Sequence, residues 1–290
     1  MRPSPDLSRS RVPTCLPGPP PGQARTLDKF YTHPAVARQC IRDFQAWTDI
    51  DLQANLHDIV EPSAGAGAFL DALPTHARGF DIAPDDSRIT QADFLSLHLT
   101  APAVVIGNPP FGKAARLAVR FFNHAAGFAS HIAFILPRTF EKASIRNRLD
   151  RRFHLLGERV LTPESFVFEG SVYRVPCTFQ VWERRRMLRP LDRVQRTHPD
   201  FSFVPRDQAD FALQRVGARA GAIKTDMDHI AAASHHFIKA QGSAARLIER
   251  LRAIDFTPVK QRTAGNPSIS KAELIEMYAQ AIENLPGSCR

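Results

Sequence analysis

Asp58-Ile59-Val60-Glu61-Pro62-Ser63-Ala64-Gly65-Ala66-Gly67-Ala68-Phe69-Leu70 is an apolar run that ends in an acid, breaks into small residues and turns apolar again. The pattern predicts a strand, a tight turn and then a helix near Phe69 to Leu73. Gly65 and Gly67 can take positive φ and let the backbone come close to a ligand, while Glu61 at the strand end can hold a cationic amine. The same glycine pair also serves ordinary strand-to-helix turns, so this stretch decides a fold class before it decides a function.

Working outward, Gly79-Phe80-Asp81 is a second apolar stretch ending in an acid, placed where an open α/β sheet offers a carboxylate to ribose hydroxyls. Gln91-Ala92-Asp93-Phe94 follows, with Asp93 able to accept a bond from an adenine amino group and Phe94 able to line a purine pocket. Strands are expected near His57 to Glu61, Arg78 to Asp81, Ile89 to Ala92, Val104 to Gly107 and His131 to Leu136, alternating with a helix near Ala114 to Gly127. Such alternation implies a mainly parallel sheet covered on both faces, with ligands beyond the carboxyl ends of its strands. Glu61, Asp81, Asp93 and Asn108 all fall at those ends.

Asn108-Pro109-Pro110-Phe111 directly follows the apolar run Ala103 to Gly107. The exocyclic nitrogen of adenine is a poor nucleophile because its lone pair is conjugated into the ring. The Asn108 side-chain oxygen and the Pro109 carbonyl can each accept one of its N–H bonds and localise that lone pair toward an incoming methyl group. Pro110 stiffens the turn, and Phe111 offers a face to a base taken out of its stack. Read alone, the tetrapeptide is equally a proline turn or a short polyproline segment.

In this order, Glu61 to Gly67, Asp81, Asp93-Phe94 and Asn108 to Phe111 resemble the successive motifs of class I S-adenosylmethionine-dependent methyltransferases, in particular the gamma-type enzymes that modify adenine N6. Asp28-Lys29-Phe30-Tyr31-Thr32 resembles their N-terminal motif, which closes over the methionine end of the cofactor. Asn108 to Gly112, Ile135 to Arg138, Val175 to Trp182 and Ser268 to Lys271 resemble a group of stand-alone bacterial and phage methyltransferases.

The resemblance implies a Rossmann-like class I fold, a mainly parallel seven-stranded sheet with helices on both faces, followed by a small mostly helical C-terminal region. It implies S-adenosylmethionine as cofactor, held by Phe30, Tyr31, Thr32, Glu61, Pro62, Ser63, Ala64, Gly65, Gly67, Asp81, Ile82, Asp93, Phe94 and Asn108. Asn108, Pro109, Pro110 and Phe111 take the catalytic roles, and Phe111, Lys113, Arg138 and Phe166 face the substrate. For Phe166, stacking on the flipped base and simple core packing stand side by side. The implied activity is adenine-N6 methylation of nucleic acid, with DNA favoured. RNA methylation at adenine N6 or guanine N2, glutamine N5 methylation of a protein, and non-catalytic nucleic-acid binding are the alternatives.

Lys and Arg number 38 against 29 Asp and Glu in a chain of 290 residues, a formal charge of +9 that suits a polyanionic partner. Within Pro137 to Arg152 the basic residues Arg138, Lys142, Arg146, Arg148, Arg151 and Arg152 outnumber Glu141 and Asp150, reading either as a phosphate-facing strip or as a solvated helix face. Cys15, Cys40, Cys177 and Cys289 lack the spacing of a zinc or disulfide framework, so no metal and a reduced, cytoplasmic setting are expected. Cys177 reads as a small core residue, and His229, His235 and His236 as surface or packing residues. No apolar run has membrane-spanning length.

Residues 1–24, rich in Pro and Arg, read as a disordered arm. A methyltransferase domain is expected over 25–185, opened by a helix from Thr32 to Trp47 with Pro34 in its first turn. Residues 186–290 remain as a C-terminal appendage or target-recognition region. Its expected helices run near Ala244 to Ile254 and Ser270 to Asn284, the second with Ser270 and Glu273 as a capping box. The oligomeric state is not legible.

Overall fold

A computed structural model describes residues 31–54, 58–99, 103–162, 165–168, 171–173, 175–263 and 265–284. The expected disordered arm and Phe30 lie outside the described residues, as do Cys15 and Cys289.

The first elements are a short strand, β1 (Tyr31–Thr32), and a helix, α1 (Pro34–Trp47). Pro34 sits in the first turn of α1, where its missing N–H costs nothing, and His33 caps it by accepting from the Ala35 amide through Nδ1 at 3.2 Å. Ala37, Cys40, Ile41 and Phe44 recur at helical spacing and are all buried. Full burial of Phe44 alone contributes about 2–3 kcal/mol.

Four strands then alternate with turns: β2 (Asp58–Glu61), β3 (Arg78–Asp81), β4 (Thr90–Gln91) and β5 (Ala103–Gly107). A second helix, α2 (Arg116–Ala125), leads to β6 (Ala129–Pro137), the one-turn helix α3 (Ala143–Arg146) and β7 (Phe153–Val160). The hairpin strands β8 (Phe166–Phe168) and β9 (Ser171–Tyr173) precede β10 (Cys177–Arg184).

The main sheet has the order β4-β3-β2-β5-β6-β10-β7. Every pairing from β4 to β6 is parallel, and β10 runs antiparallel to both β6 and β7. The chain moves outward from β2 to β4, then returns to lay β5 on the other side of β2. That reversal of strand order is the switch point at which open α/β sheets bind ligands. The seven-stranded, mainly parallel Rossmann-like sheet of the expected class I fold is therefore present, with α1 and α2 on opposite faces.

Alternation along the strands divides the core. Val105 and Trp182 point into the cluster under α2 with Phe121, Phe122 and Phe134, whereas Val104, Ile106, Phe179 and Val181 point into the cluster under α1. Cys177 is fully buried in the α1 cluster, where burial pushes its thiol pKa up, so it is a core residue and not a nucleophile.

Local expectations moved in three places. The helix expected at Phe69 to Leu73 is a single 3-10 turn, Leu70–Ala72, because Pro74 disfavours helical backbone at the residue before it. The strand expected at Ile89 to Ala92 contracts to Thr90–Gln91 on the sheet edge. The helix expected from Ala114 starts at Arg116, because Ala114 and Ala115 hold positive φ.

Beyond Arg184 the chain packs back on the core. The Arg189 guanidinium lies 5.7 Å from the Trp182 ring centroid, and its Nη2 donates to the Arg146 carbonyl at 2.7 Å. An antiparallel sheet follows, formed by β11 (Phe201–Phe203), β12 (Phe211–Gln214), β13 (Ile223–Lys224) and β14 (His235–Ala240) in the order β11-β14-β12-β13. Packed with it are α4 (Ala244–Arg252), the one-turn α5 (Thr257–Lys260) and α6 (Lys271–Glu283). The helices α4 and α6 were expected; the one-turn α5 and the sheet were not. Phe201, Phe211, Ile238, Leu251, Leu274 and Tyr278 form a third core there. The Ser270–Glu273 capping box is formed, with Ser270 Oγ accepting from the Glu273 amide at 3.3 Å and Glu273 Oε2 accepting from the Ser270 amide at 2.9 Å. Among the described residues, no helix is long and apolar enough to cross a membrane.

Candidate functional site

The carboxyl ends of β2, β3 and β5 open into one pocket. From β2 and its turn come Glu61, Pro62, Ser63, Ala64 and Gly65; from β3, Asp81 and Ile82; from β5, Asn108, Pro109, Pro110 and Phe111. Tyr31 and Thr32 of β1 and Phe94 complete the set that the sequence brought forward.

Glu61 is 2% exposed, and its Oε2 is buried without a hydrogen-bond partner. Burial pushes its carboxyl pKa well up, a hydrogen bond from the Leu70 amide pulls it down, and the nearby charges of Asp81 and Asp71 raise it further. A cationic ligand group would supply the missing counter-charge. Gly65, at φ +53°, turns the chain so closely that a Cβ there would lie 3.2 Å from Tyr31 Cε1. Its amide donates to Asp81 Oδ2 at 2.9 Å, and Asp81 Oδ1 accepts from the Ala83 amide at 2.9 Å, which fixes the carboxylate at the pocket wall. Ile82 beside it is 50% exposed, leaving an apolar face open at the rim.

The far wall is aromatic. Phe94 stacks on Phe121 with ring centroids 5.3 Å apart, and both line the pocket with Ala92. Phe121 escaped sequence reading because its position on α2 looks like any core-facing helical residue. Tyr31 donates its hydroxyl to Asp85 in the loop after β3, a partner that no local pattern signals.

The Asn108 carboxamide oxygen is buried at the pocket. After the turn, the Phe111 carbonyl accepts from the Leu117 and Ala118 amides at 3.1 and 3.3 Å. Between them, Gly112, Ala114 and Ala115 hold φ of 66°, 54° and 60°. Left-handed alanines are strained, and strain of this kind persists only where surrounding contacts over-determine the backbone.

Five of the expected site residues that the structure describes do not line the pocket. Gly67, at φ +82°, shapes the turn against Arg88 and Asp86 and does not line the pocket. The Asp93 carboxylate caps its own 3-10 turn, accepting from the Leu95 amide at 2.9 Å, and only the next residue, Phe94, faces the pocket. Phe166 is 1% exposed in the core under α1, drawn there because β8 pairs with β1 and sets Phe166 opposite Thr32. It supports the strand that carries Tyr31 and Thr32. Arg138 is held by Glu141 through Nη2 and Oε2 at 3.0 Å and donates to Gln261 Oε1 at 3.3 Å, away from the pocket. Lys113 is exposed just beyond the Asn108 to Phe111 turn.

The basic strip is largely neutralised in the fold. Lys142 pairs with Glu273 at 3.1 Å, Arg146 with Asp192 at 2.9 Å and Arg152 with Asp150 at 2.6 Å, and Arg151 Nε donates to the Arg189 carbonyl at 2.8 Å. Lys142, Arg146 and Arg151 thereby fasten the C-terminal region to the core, while the Arg152–Asp150 pair is local. A different set is exposed without an ion pair among the described residues: Lys113, Arg116 and Arg120, next to Asn108 to Phe111 and along the outer side of α2.

No known family profile matches the chain, and no curated protein matches it in sequence. Among solved structures it is similar to a Pyrococcus horikoshii protein assigned as an RNA methyltransferase, at 14% identity and a TM-score of 0.44 over 55% of this chain and 88% of that one. It is also similar to the 23S rRNA methyltransferase ErmE, at 13% identity and a TM-score of 0.39 over 57% of this chain and 72% of the other. A third similarity is to DrdV in its DNA complex, at 14% identity and a TM-score of 0.41 over 57% of this chain and 27% of that one.

Proposed function

We propose that the chain is an S-adenosylmethionine-dependent methyltransferase that acts on the exocyclic N6 of adenine in nucleic acid, with DNA the favoured polymer. The observation that carries this reading is the meeting of Asn108 to Phe111 with Glu61, Asp81 and Phe94 in a single pocket at the sheet's switch point.

The residues present fit the cofactor. Glu61, buried with an oxygen lacking a donor, suits its ammonium group, while Asp81 suits ribose hydroxyls and the Phe94–Phe121 wall suits a purine. When bound, the cofactor supplies an electrophilic methyl group on a sulfonium, already a good leaving group.

The protein's part is alignment. The Asn108 side-chain oxygen and the Pro109 carbonyl accept the two N–H bonds of the target amine and turn its lone pair toward the methyl group. Phe111 stacks on the extruded base, and Pro110 limits motion of the turn. Lys113, Arg116 and Arg120 offer positive charge to phosphates next to that base.

The deciding experiment incubates the purified chain with methyl-labelled cofactor and with DNA or RNA, then analyses the nucleosides. Label in N6-methyladenine from DNA is the expected result. Label in RNA adenine, in N2-methylguanine or in glutamine of a protein substrate would move the function to that acceptor. Cofactor binding with no transfer to any of them would overturn the enzyme reading.

A further inference from the structure

A second concavity lies in the C-terminal region, where the end of β12, the start of β14 and the start of α6 meet. Phe203, Arg215, His235, His236 and Lys271 line it, and no acidic side chain does so among the described residues. The Arg215 backbone is held on both sides, its amide donating to the Ser234 carbonyl at 2.9 Å and its carbonyl accepting from the Ile269 amide at 2.8 Å. The guanidinium is only partly satisfied. Nη1 donates to the Ala233 carbonyl at 3.2 Å, but Nε is buried without a partner. His235 Nε2 is likewise buried without a partner, but its Nδ1 lies 3.3 Å from the Ala231 carbonyl and 3.0 Å from Ser234 Oγ and so carries the proton of the neutral ring, which leaves Nε2 a donor only in the doubly protonated imidazolium. A buried guanidinium N–H with no acceptor carries its full desolvation cost unless something enters to accept it.

The local field agrees with the hydrogen-bond inventory. Lys271 Nζ stands 4.8 Å from the Phe203 ring centroid at the exposed edge of the concavity. His236 donates through Nε2 to the Ile269 carbonyl at 2.9 Å. Its pKa is pushed down to about 4, first by burial and then by the positive charges of Arg215, Lys271 and His235, against the opposing pull of that carbonyl bond. The wall thus resists a further positive charge, which is the condition that an anion relieves.

We propose that this concavity binds a phosphate group, supplied by the backbone of the same nucleic acid strand whose base enters the pocket at Asn108. The phosphate chemistry stands on Arg215 and Lys271; its source rests on the methyl-transfer reading. A bound phosphate oxygen gives Arg215 Nε–H its acceptor, and Lys271 adds a second charge-assisted contact. The concavity is also coupled to the core. Ser270 donates through Oγ to Glu273 Oε2 at 2.7 Å, and the same oxygen accepts from Lys142 Nζ at 3.1 Å, shortly after the carboxyl end of β6. Strand contacts here would hold the substrate at a second point, and the C-terminal region would set how the strand lies across the catalytic end of the sheet.

The test measures affinity of the full chain for a DNA oligonucleotide across a salt series, for the wild type, Lys271→Gln and Arg215→Lys. Lys271 is exposed, so its replacement keeps the test valid even if Arg215→Lys proves unstable. Lys271→Gln is expected to weaken binding several-fold and to lower the log–log salt slope by about 0.7–0.9, the loss of one phosphate contact, with cofactor binding unchanged. In the wild type, the imidazole of His236, followed by NMR, should titrate at higher pH once oligonucleotide is bound. Inorganic phosphate alone at millimolar concentration serves as the second probe. If it moves His236 while the oligonucleotide does not, the polynucleotide source is overturned. Unchanged slope and unchanged His236 in an oligonucleotide complex that is still methylated would overturn the phosphate site and leave the enzymatic reading standing. A chain that binds no nucleic acid would overturn both.

Discussion

Tyr31 donates its phenolic hydroxyl to Asp85 across the turn at Gly65, so that β1 and the loop after β3 close one side of the pocket together. Burial, the Asp85 bond and the neighbouring carboxylates raise the Tyr31 pKa, which keeps the phenol a donor throughout the neutral range. Tyr31→Phe retains the ring over Gly65 and removes only the latch. Cofactor affinity should fall by about fivefold, the worth of one solvent-accessible hydrogen bond, and calorimetric titration reads it directly. Tyr31→Ala should cost considerably more, because the ring packing is lost as well. Equal affinities for the wild type and Tyr31→Phe would remove the latch from the account of the pocket.

Glu61 makes a signed prediction about pH. Its folded-state pKa lies above its ordinary value, so the folded protein holds that proton more tightly than the unfolded chain does. The ligand-free fold is therefore favoured on the acid side and loses stability as pH rises from the ordinary carboxylate range up to the raised value. Glu61→Gln has no proton to lose. Its melting temperature should exceed that of the wild type by a margin that grows as pH rises above the ordinary carboxylate range, while its affinity for the cationic cofactor drops at least about tenfold. A constant margin across that range would show that Glu61 does not titrate as its burial requires.

Asn108 should separate binding from chemistry. Under the proposed reaction, Asn108→Ala removes one of two acceptors for the target amine and should lower kcat by about 10²–10³ with cofactor affinity nearly unchanged. For Phe111, tyrosine or tryptophan should be tolerated and alanine should not; indistinguishable rates for all three would argue against stacking on the base.

What the sequence disclosed follows from which signals are local. Glu61, Asp81 and Asn108 were legible because each closes an apolar run, and the end of a strand is a property of a few consecutive residues. For Phe166 the choice between base stacking and core packing was not, because its place depends on β8 pairing with β1, a contact between distant parts of the chain. Asp93 looked like a ligand by position, yet the Leu95 amide lay closer to hand. The basic residues from Arg138 to Arg152 read from sequence as a strip or as a solvated helix face, because their partners, among them Glu273 and Asp192 from the C-terminal region, lie far along the chain. The sheet there was missed for a related reason: its shortest strands, Phe201–Phe203 and Ile223–Lys224, are too brief to show alternation.

Glu273 links the two regions and predicts a stability effect. Its Oε2 accepts from the Ser270 amide, the Ser270 hydroxyl and Lys142 Nζ, and the side chain is 5% exposed. Glu273→Ala removes the α6 cap and strands a mostly buried lysine, a combined loss of about 2–3 kcal/mol. Glu273→Gln keeps part of the cap and should lose less. Denaturant unfolding of the double variant with Lys142→Met should recover part of the loss, because the stranded charge is gone. Additive losses would place the cost in the cap alone.

Ala114, at φ +54°, precedes a second left-handed alanine shortly after the Asn108 to Phe111 turn. For an L-residue that conformation costs about 1–2 kcal/mol, and glycine avoids it at the expense of greater freedom in the unfolded chain. Ala114→Gly should therefore stabilise the protein by about 0.5–1 kcal/mol in denaturant unfolding. Activity should move the other way. With an alanine, few backbone conformations connect Phe111 to the first turn of α2, so the Asn108 carboxamide is held where the amine must be gripped; a glycine admits others and loosens that hold. The expected signature is a higher midpoint with a lower kcat and an unchanged cofactor affinity. Loss of stability instead would mean that the left-handed run carries no strain, and that the turn is held by its hydrogen bonds to the Leu117 and Ala118 amides alone.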